Sequence, residues 1–202
     1  MDATELLTAL ESNAADTAGL EQALQQALAE GVSDLDSFLA QVVPLLGKSE
    51  AAESVLKVLD AVFRRNRETD VGRVVGRHAG VLCWRALGDL VRAEFYMRAL
   101  GDGGDHAAEW QDFYCRFYAS RGNWLRLEQF MTETAQRTGM AAVEMKRALA
   151  CTAHDVGNSA KEMSYWQAVA QAAPSDAEAN RELERLYSQL ERWSSLADLL
   201  KE

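Results

Sequence analysis

The sequence predicts an all-α protein built as an α-solenoid, a stack of antiparallel helix pairs. Four turns recur at almost one spacing, because the steps from Gly88 to Gly122, Gly157 and Glu191 are 34, 35 and 34 residues. Amphipathic runs of helical length flank each turn, and this period with two helices per unit is typical of helical repeats. The composition agrees, since only two prolines occur and helix-favouring residue types dominate.

Residues 1–70 are predicted to form degenerate helical repeats with an acidic surface, because they hold 5 basic and 13 acidic side chains. One helix is predicted to end at Gly31. A second is predicted to begin after Ser33 and to end or kink at Pro44, and a third to span about residues 50–65. The apolar faces of the three are Leu20, Ala23, Leu24, Ala27 and Leu28; Leu35, Phe38, Leu39, Val42 and Val43; and Val55, Leu56, Val58, Leu59, Val62 and Phe63.

Residues 71–202 are predicted to continue the stack as four better-patterned helix pairs. The predicted pairs are 73–87 with 90–100, 107–120 with 124–137, 141–155 with 159–172, and 176–189 with 193–200. Two or three residues connect the helices of a pair, so these helices must be antiparallel. Pro174 cannot continue a helix, and Ser175 or Asp176 can cap the next one. The predicted core includes all five tryptophans, Trp84, Trp110, Trp124, Trp166 and Trp193.

Composition narrows the class of protein. A net charge of −10 makes the chain a poor binder of nucleic acid or of an anionic membrane. No run reaches the ~18 apolar residues that span a bilayer, and the acidic N-terminus lacks the basic start of a secretion signal, so a cytoplasmic protein is expected. The three cysteines are too widely spaced for a disulfide framework or a zinc site, and Cys83, Cys115 and Cys151 are expected to be buried.

A recurring set of residues surrounds the turns. Its members are Gly88, Leu90, Ala93, Met97 and Leu100; Gly122, Trp124, Leu127 and Met131; Gly157, Trp166, Val169 and Pro174; and Leu183, Tyr187, Trp193, Leu196 and Leu200. This pattern resembles that of the tetratricopeptide-repeat family, and a degenerate member of the wider group of helical repeats would also show it. Glu162 stands where that family has a small residue, so a register shift of one residue in the third pair is an open alternative.

The resemblance implies that the first helix of each pair lines a concave groove. By the repeat register, the groove residues are His78, Leu82 and Arg85; Asp112, Arg116 and Ala119; Arg147, Cys151 and His154; and Glu182, Arg185 and Gln189. In one hypothesis a basic rail holds the carboxylates of an acidic or C-terminal peptide, and it consists of Arg85, Arg116, Arg147 and Arg185. In the alternative these arginines pair with acidic residues of neighbouring helices, namely Asp112, Asp155, Glu144 and Glu182.

The expected function is that of a protein–protein interaction scaffold or adaptor, which holds a peptide or helix of another protein in the groove. The alternative is an assembly module that forms a homo-oligomer through the ends of the solenoid. Leu196, Leu199 and Leu200 motivate it, because a stripe that does not pack back belongs to a longer protein or meets another copy.

No enzymatic role, cofactor or metal is expected from the motifs. HExxH, GxxxxGK[ST] and GxSxG do not occur in the sequence. Asp102 and Asp105 lie in a glycine-rich turn that lacks the further oxygen ligands of a calcium loop.

Overall fold

The computed structural model describes residues 32–46, 52–101 and 107–200. These residues form ten α-helices and no strand, so the all-α prediction is confirmed for the described part of the chain. The helices are α1 Val32–Leu46, α2 Ala52–Asn66, α3 Asp70–Val81, α4 Leu90–Met97, α5 Ala107–Ser120, α6 Trp124–Thr138, α7 Ala142–Asp155, α8 Ser159–Ala172, α9 Ala177–Gln189 and α10 Trp193–Leu199. A π-helical turn, Leu82–Ala86, extends α3, and a 3₁₀ turn, Arg98–Leu100, extends α4.

Residues 71–200 have a helix at each of the eight predicted positions, and the ends agree to within three residues when the π-helical and 3₁₀ turns are counted with α3 and α4. Upstream, the second and third predicted helices correspond to α1 and α2, and Pro44 lies inside the last turn of α1 instead of ending it. A proline at this position removes one i→i−4 hydrogen bond, and the helix ends two residues after it. The helix predicted to end at Gly31 lies outside the described residues.

The chain divides into two compact units, Met1–Trp110 and Gln111–Glu202. The first unit holds α1 to α4 and the beginning of α5, and the second holds the remaining helices. No helix in the described part of the chain is both long and apolar enough to cross a membrane.

A left-handed residue closes the first helix of each pair. The backbone φ angle is 66° at Gly88, 66° at Gly122, 71° at Gly157 and 55° at Glu191. Only glycine adopts this conformation without a steric penalty, so three of the four turns carry the residue type that the turn requires. The recurring spacing in the sequence is therefore the spacing of a specific backbone conformation.

Hydrogen bonds show that three of these turns are copies of one motif. The residue after the left-handed one donates its backbone N–H to a carbonyl five residues back, in the pairs Asn123–Tyr118 (2.9 Å), Asn158–Ala153 (2.9 Å) and Arg192–Tyr187 (2.8 Å). This bond is the mark of a Schellman C-cap. The side chains of Asn123 and Asn158 then cap the next helix. These two turns therefore end one helix and begin the next with two adjacent residues.

In the first unit, a glycine stripe on α3 lets α2 pack unusually close. A Cβ added at Gly72 would lie 2.0 Å from the backbone oxygen of Asn66, and one added at Gly76 would lie 2.9 Å from Cε2 of Phe63. Both distances are shorter than real Cβ contacts, so neither position accepts a side chain without movement of its neighbour. The two glycines set the separation of α2 and α3.

The core of the first unit surrounds this contact. Four helices contribute to it, with the buried side chains Leu35, Phe38, Leu39, Val42, Val43, Val55, Leu56, Leu59, Phe63, Val75, Ala79, Leu82, Ala93, Tyr96 and Met97. The apolar face predicted for α1 is buried as expected, while Val58 and Val62 of α2 are half-buried. Helix α4 packs on the same face of α3, because a Cβ at Gly80 would lie 3.0 Å from Cγ of Met97.

The prediction that all five tryptophans lie in the core is wrong for four of them. Trp166 is 3% exposed, but Trp84, Trp110 and Trp124 are only half-buried, and Trp193 is 60% exposed. Trp124 and Trp193 are each the first residue of the second helix of a pair. Tyr165, from the pair that follows, covers Trp124, and the centroids of the two rings lie 6.3 Å apart. Trp193 belongs to the last described pair, where no such neighbour is described.

Two of the three cysteines are buried as predicted, Cys83 and Cys115, whereas Cys151 is exposed. The buried side of α7 consists of Leu149, Ala150 and Ala153. The next position after Ala150 is turned about 100° around the helix axis, so the thiol of Cys151 points away from the core.

We expect Gly72→Ala and Gly76→Ala to destabilise the protein, although alanine normally stabilises an exposed helix position by roughly 0.5–1 kcal/mol relative to glycine. The free energy of unfolding should fall by about 1 kcal/mol at position 76, where a ring can shift, and by about 2–3 kcal/mol at position 72, where backbone must move. Urea denaturation followed by circular dichroism measures both. An unchanged midpoint for Gly72→Ala would contradict the close packing.

The left-handed conformation of the turns predicts opposite changes in stability for two substitutions. Glu191→Gly should raise the free energy of unfolding by about 1 kcal/mol, because it removes the strain of a left-handed glutamate. Gly157→Ala should lower it by a similar amount, about 1 kcal/mol, since nothing lies within 4 Å of the added Cβ and only the backbone conformation is penalised. The same denaturation experiment measures both variants, and equal signs would refute a shared turn geometry.

Candidate partner-binding surface

In the second unit, the first helices of successive pairs are joined by ion pairs. Nη2 of Arg116 on α5 donates to Oδ2 of Asp155 at the end of α7, at 2.9 Å. Nη2 of Arg147 on α7 donates to Oδ2 of Asp176, the N-cap of α9, at 2.6 Å. Helices α5, α7 and α9 are therefore neighbours in chain order. We call their solvent-facing side the first-helix surface, with the side chains Asp112, Arg116, Arg147, Cys151, His154, Glu182, Arg185 and Gln189.

A buried carboxylate beneath this surface ties three helices together. Glu162 of α8 is 3% exposed, and its Oε1 accepts a hydrogen bond from Nη2 of Arg185 on α9. The same oxygen lies 3.1 Å from Nδ1 of His154 on α7. Arg185 in turn donates to Glu182 at 2.8 Å. Burial of a carboxylate is costly unless charged donors satisfy it, and here the guanidinium of Arg185, a predicted groove residue, supplies such a donor.

Glu162 also decides the register of the third pair. It follows the left-handed Gly157 by five residues, as Leu127 follows Gly122 and Ala93 follows Gly88. All three positions are buried. The third pair therefore keeps the common register without a shift, and the glutamate replaces an apolar residue at a core position of the repeat.

All four arginines of the hypothesised rail are ion-paired within the protein. Arg116 pairs with Asp155 of a neighbouring helix, as the alternative hypothesis predicted. Its pair with Asp112, at 3.2 Å, and the pair of Arg185 with Glu182 each lie within one helix, whereas the alternative placed these carboxylates on neighbouring helices. The alternative is wrong about one partner, because Arg147 pairs with Asp176 and Glu178 instead of Glu144.

Glu144 and Arg85 have other contacts. Glu144 accepts a hydrogen bond from the backbone N–H of Ala141 at the start of its own helix, at 3.3 Å. Arg85 belongs to the first unit, and its Nη2 lies 3.8 Å from Oε1 of Glu109. Its guanidinium also stacks over the ring of Trp84, 4.8 Å from the centroid. Each arginine of the hypothesised rail thus has a carboxylate partner within the protein, which neutralises its charge.

The directions of the pKa shifts agree with these ion pairs. The backbone N–H of Ala179, together with the guanidinium of Arg147, outweighs burial and holds the pKa of Asp176 below its usual range. The hydrogen bond to Glu182 raises the pKa of Arg185. Burial, and then the charge of Asp155, raises the pKa of Cys151, so this exposed thiol is protonated at neutral pH.

In the first unit, His78 and Leu82 are buried, which corrects their prediction as groove residues. Nε2 of His78 lies 2.8 Å from Oδ1 of Asp36, and Nη2 of Arg77 donates to the same oxygen at 2.5 Å. Burial raises the pKa of Asp36, but the hydrogen bonds from His78 and Arg77 outweigh it and leave the pKa lowered. Asp36 lies 42 residues before His78, so local patterns give no signal for this cluster.

No metal centre is found within the described ranges, since they contain no group of three His, Cys, Asp or Glu side chains placed to hold an ion. His106, Asp102 and Asp105 lie outside those ranges. His154 contacts a carboxylate, as described above, and His78 lies in the core.

Comparison with known proteins assigns the chain to no family. No protein-family model matches it, and no curated protein matches it either. The resemblance to tetratricopeptide repeats therefore stays an expectation that rests on the residues around the turns.

The buried carboxylate predicts different stability effects for two half-buried arginines, Arg116 and Arg185. Arg185→Ala should lower the free energy of unfolding by about 2–3 kcal/mol, because Glu162 would keep a buried charge with one partner fewer. Arg116→Ala, whose partners are solvated, should cost less than about 1 kcal/mol. Urea denaturation at neutral pH measures both.

A second substitution serves as the control for that comparison. Glu162→Leu combined with Arg185→Ala should restore most of the lost stability, since Leu127 occupies the equivalent core position. Equal effects of the two arginine variants, or no recovery in the double variant, would show that the buried pair is not the cause.

Proposed function

We propose that this chain is a protein–protein interaction scaffold that binds a peptide or helix of a partner protein across the first-helix surface. The supporting observation is that α5, α7 and α9 are neighbours in chain order and carry partly exposed charged side chains on one connected surface. Helical repeats build extended binding surfaces in this way. The proposal includes an α-solenoid arrangement similar to tetratricopeptide repeats, a role as an adaptor, and a cytoplasmic location.

The ion pairs favour a partner segment of a particular charge pattern. A purely acidic peptide would have to displace the carboxylates that already hold Arg116, Arg147 and Arg185. A segment with both acidic and basic side chains can instead exchange pairs with the surface and leave no charge unmatched. We therefore propose a partner segment of mixed charge in place of the acidic peptide expected from the sequence.

Cys151 provides a probe in the middle of the first-helix surface. It is the exposed thiol of the three, while burial raises the pKa of Cys83 and Cys115 to about 12. A maleimide photo-crosslinker should therefore label one thiol in the folded protein and three after denaturation. The labelling rate should rise with pH, because the pKa of Cys151 lies above its usual value.

The labelled protein then tests the surface. Crosslinking from Cys151 in a cell extract should enrich a partner that the control does not enrich, where the control carries the same label at Leu125→Cys in a Cys151→Ser background. Leu125 lies on α6 and is 70% exposed. With the purified partner, Arg116→Glu should weaken binding about tenfold, and Arg126→Glu on α6 should not. Identical capture from both positions, or equal affinities for both variants, would contradict the proposal.

A further inference from the structure

We propose that Trp124, Glu128 and Tyr165 form a binding site for a trimethylammonium group, at the place that the ammonium group of Lys161 occupies in this structure. We call these four residues the ammonium site. They lie on α6 and α8, which are second helices of their pairs, so the site shares no residue with the first-helix surface. The inference does not rest on the proposed scaffold function.

Two pairs of residues, each spaced four apart, bring the site together. Trp124 and Glu128 share one face of α6, and Lys161 and Tyr165 share one face of α8, because residues four apart are neighbours on a helix. The rings of Trp124 and Tyr165 meet with their centroids 6.3 Å apart and their planes inclined by 50°. The two helices thus bring two aromatic rings close to one carboxylate.

The ammonium group of Lys161 shows what this combination binds. Its Nζ lies 5.8 Å from the ring centroid of Trp124, 5.6 Å from that of Tyr165 and 3.6 Å from Oε1 of Glu128. An aromatic face attracts a cation within about 6 Å through the ring quadrupole, and a carboxylate adds the attraction of opposite charges. The same groups are therefore suited to the cationic head of a ligand.

A second lysine lies over the same ring. Nζ of Lys146 on α7 is 5.5 Å from the ring centroid of Tyr165. Lys146 and Lys161 are the two lysines in the sequence between residues 111 and 200, where the other eight basic residues are arginines. An ammonium group is a compact point charge, unlike the planar guanidinium of arginine. Both compact cations of this unit thus converge on Tyr165.

The contacts of Lys161 favour a ligand that has no N–H donors. A primary ammonium group carries three donors. In the part of the chain that the structure describes, no acceptor lies within hydrogen-bond distance of Nζ, since the carboxylate of Glu128 is 3.6 Å away. A trimethylammonium group has no donor to satisfy, and the aromatic rings attract its charge in the same way. It therefore fits these surroundings better than the lysine does.

Lys161 can leave the site while the other side chains stay in place. It is 38% exposed, and a solvated ion pair contributes little to stability. Tyr165 is only 3% exposed, and its hydroxyl donates to Oε1 of Glu128 at 2.6 Å, which fixes the ring and the carboxylate. Burial, and then this hydrogen bond, raise the pKa of Tyr165, so the hydroxyl keeps its proton. A ligand would thus replace one flexible side chain in a formed site.

Titration of the isotope-labelled full chain with tetramethylammonium chloride tests the site by NMR. The indole N–H signal of Trp124, identified by its absence in Trp124→Phe, should shift saturably, and sodium chloride at equal ionic strength should not produce this shift. Lys161→Ala should tighten binding about fivefold or more, because apparent affinity falls with the fraction of molecules in which a site is open. The matched control is Lys57→Ala, which removes an exposed lysine of α2 and should change nothing.

A second substitution tests the carboxylate. In the Lys161→Ala background, Glu128→Gln should weaken binding about tenfold, because it removes the charge and keeps an oxygen that can accept from Tyr165. Circular dichroism verifies that the variants remain folded. Choline and a peptide with trimethyllysine then distinguish a small molecule from a protein as the source of the group, since the tighter ligand identifies it.

Three outcomes would overturn the proposal. A Trp124 signal that does not respond in Lys161→Ala shows that the rings bind no external cation. Equal affinities of the wild-type protein and Lys161→Ala show that the lysine does not occupy the ligand's place. Ammonium chloride that binds as tightly as tetramethylammonium chloride shows that the site does not select methyl groups.

Discussion

The requirement that the chain reverse direction within two or three residues underlies most of this structure. Such a reversal needs a residue in the left-handed conformation, followed by a cap for the next helix. Gly122 with Asn123 and Gly157 with Asn158 meet both needs with two adjacent residues. Because the turns hold the same register, the residues that follow them fall on equivalent faces, and the buried positions repeat from pair to pair.

One polar exception in that repeated core connects stability with the surface proposed for binding. Glu162 occupies a position that is leucine or alanine in the two preceding pairs, and its burial is compensated from the first-helix surface by His154 and Arg185. A partner that drew Arg185 away would leave the carboxylate with less compensation. Binding at the proposed surface would therefore be coupled to the packing beneath it through Arg185.

Local periodicity was sufficient to predict where the turns and most helices lie, although it placed Trp193 and Cys151 wrongly in the core. Turn positions, helix ends and the buried face of α1 follow from neighbours within one or two helical turns, and the structure confirms them. Long-range partners were not predictable in this way. His78 was expected on a groove because its register matches the first-helix pattern, but the carboxylate that holds it comes from α1.

The role of two glycines could not be predicted for a related reason. Glycine normally lowers the stability of a helix. Gly72 and Gly76 are nevertheless required in α3, because α2 lies too close for a side chain at either position. For the candidate site, sequence reasoning located several of the charged residues on one connected surface in the second unit, but it could not assign Arg147 to Asp176, because a pairing across helices depends on their exact offset.

None of the side chains of α10 is buried, and this affects how readily the helix unfolds locally. A helix that buries little is opened by small fluctuations, while its neighbours stay closed. Its amide protons should exchange with deuterated solvent sooner than those of α8, which contributes Trp166 to the core. A partner that covered α10 would slow this exchange without any change in the backbone path of the helix.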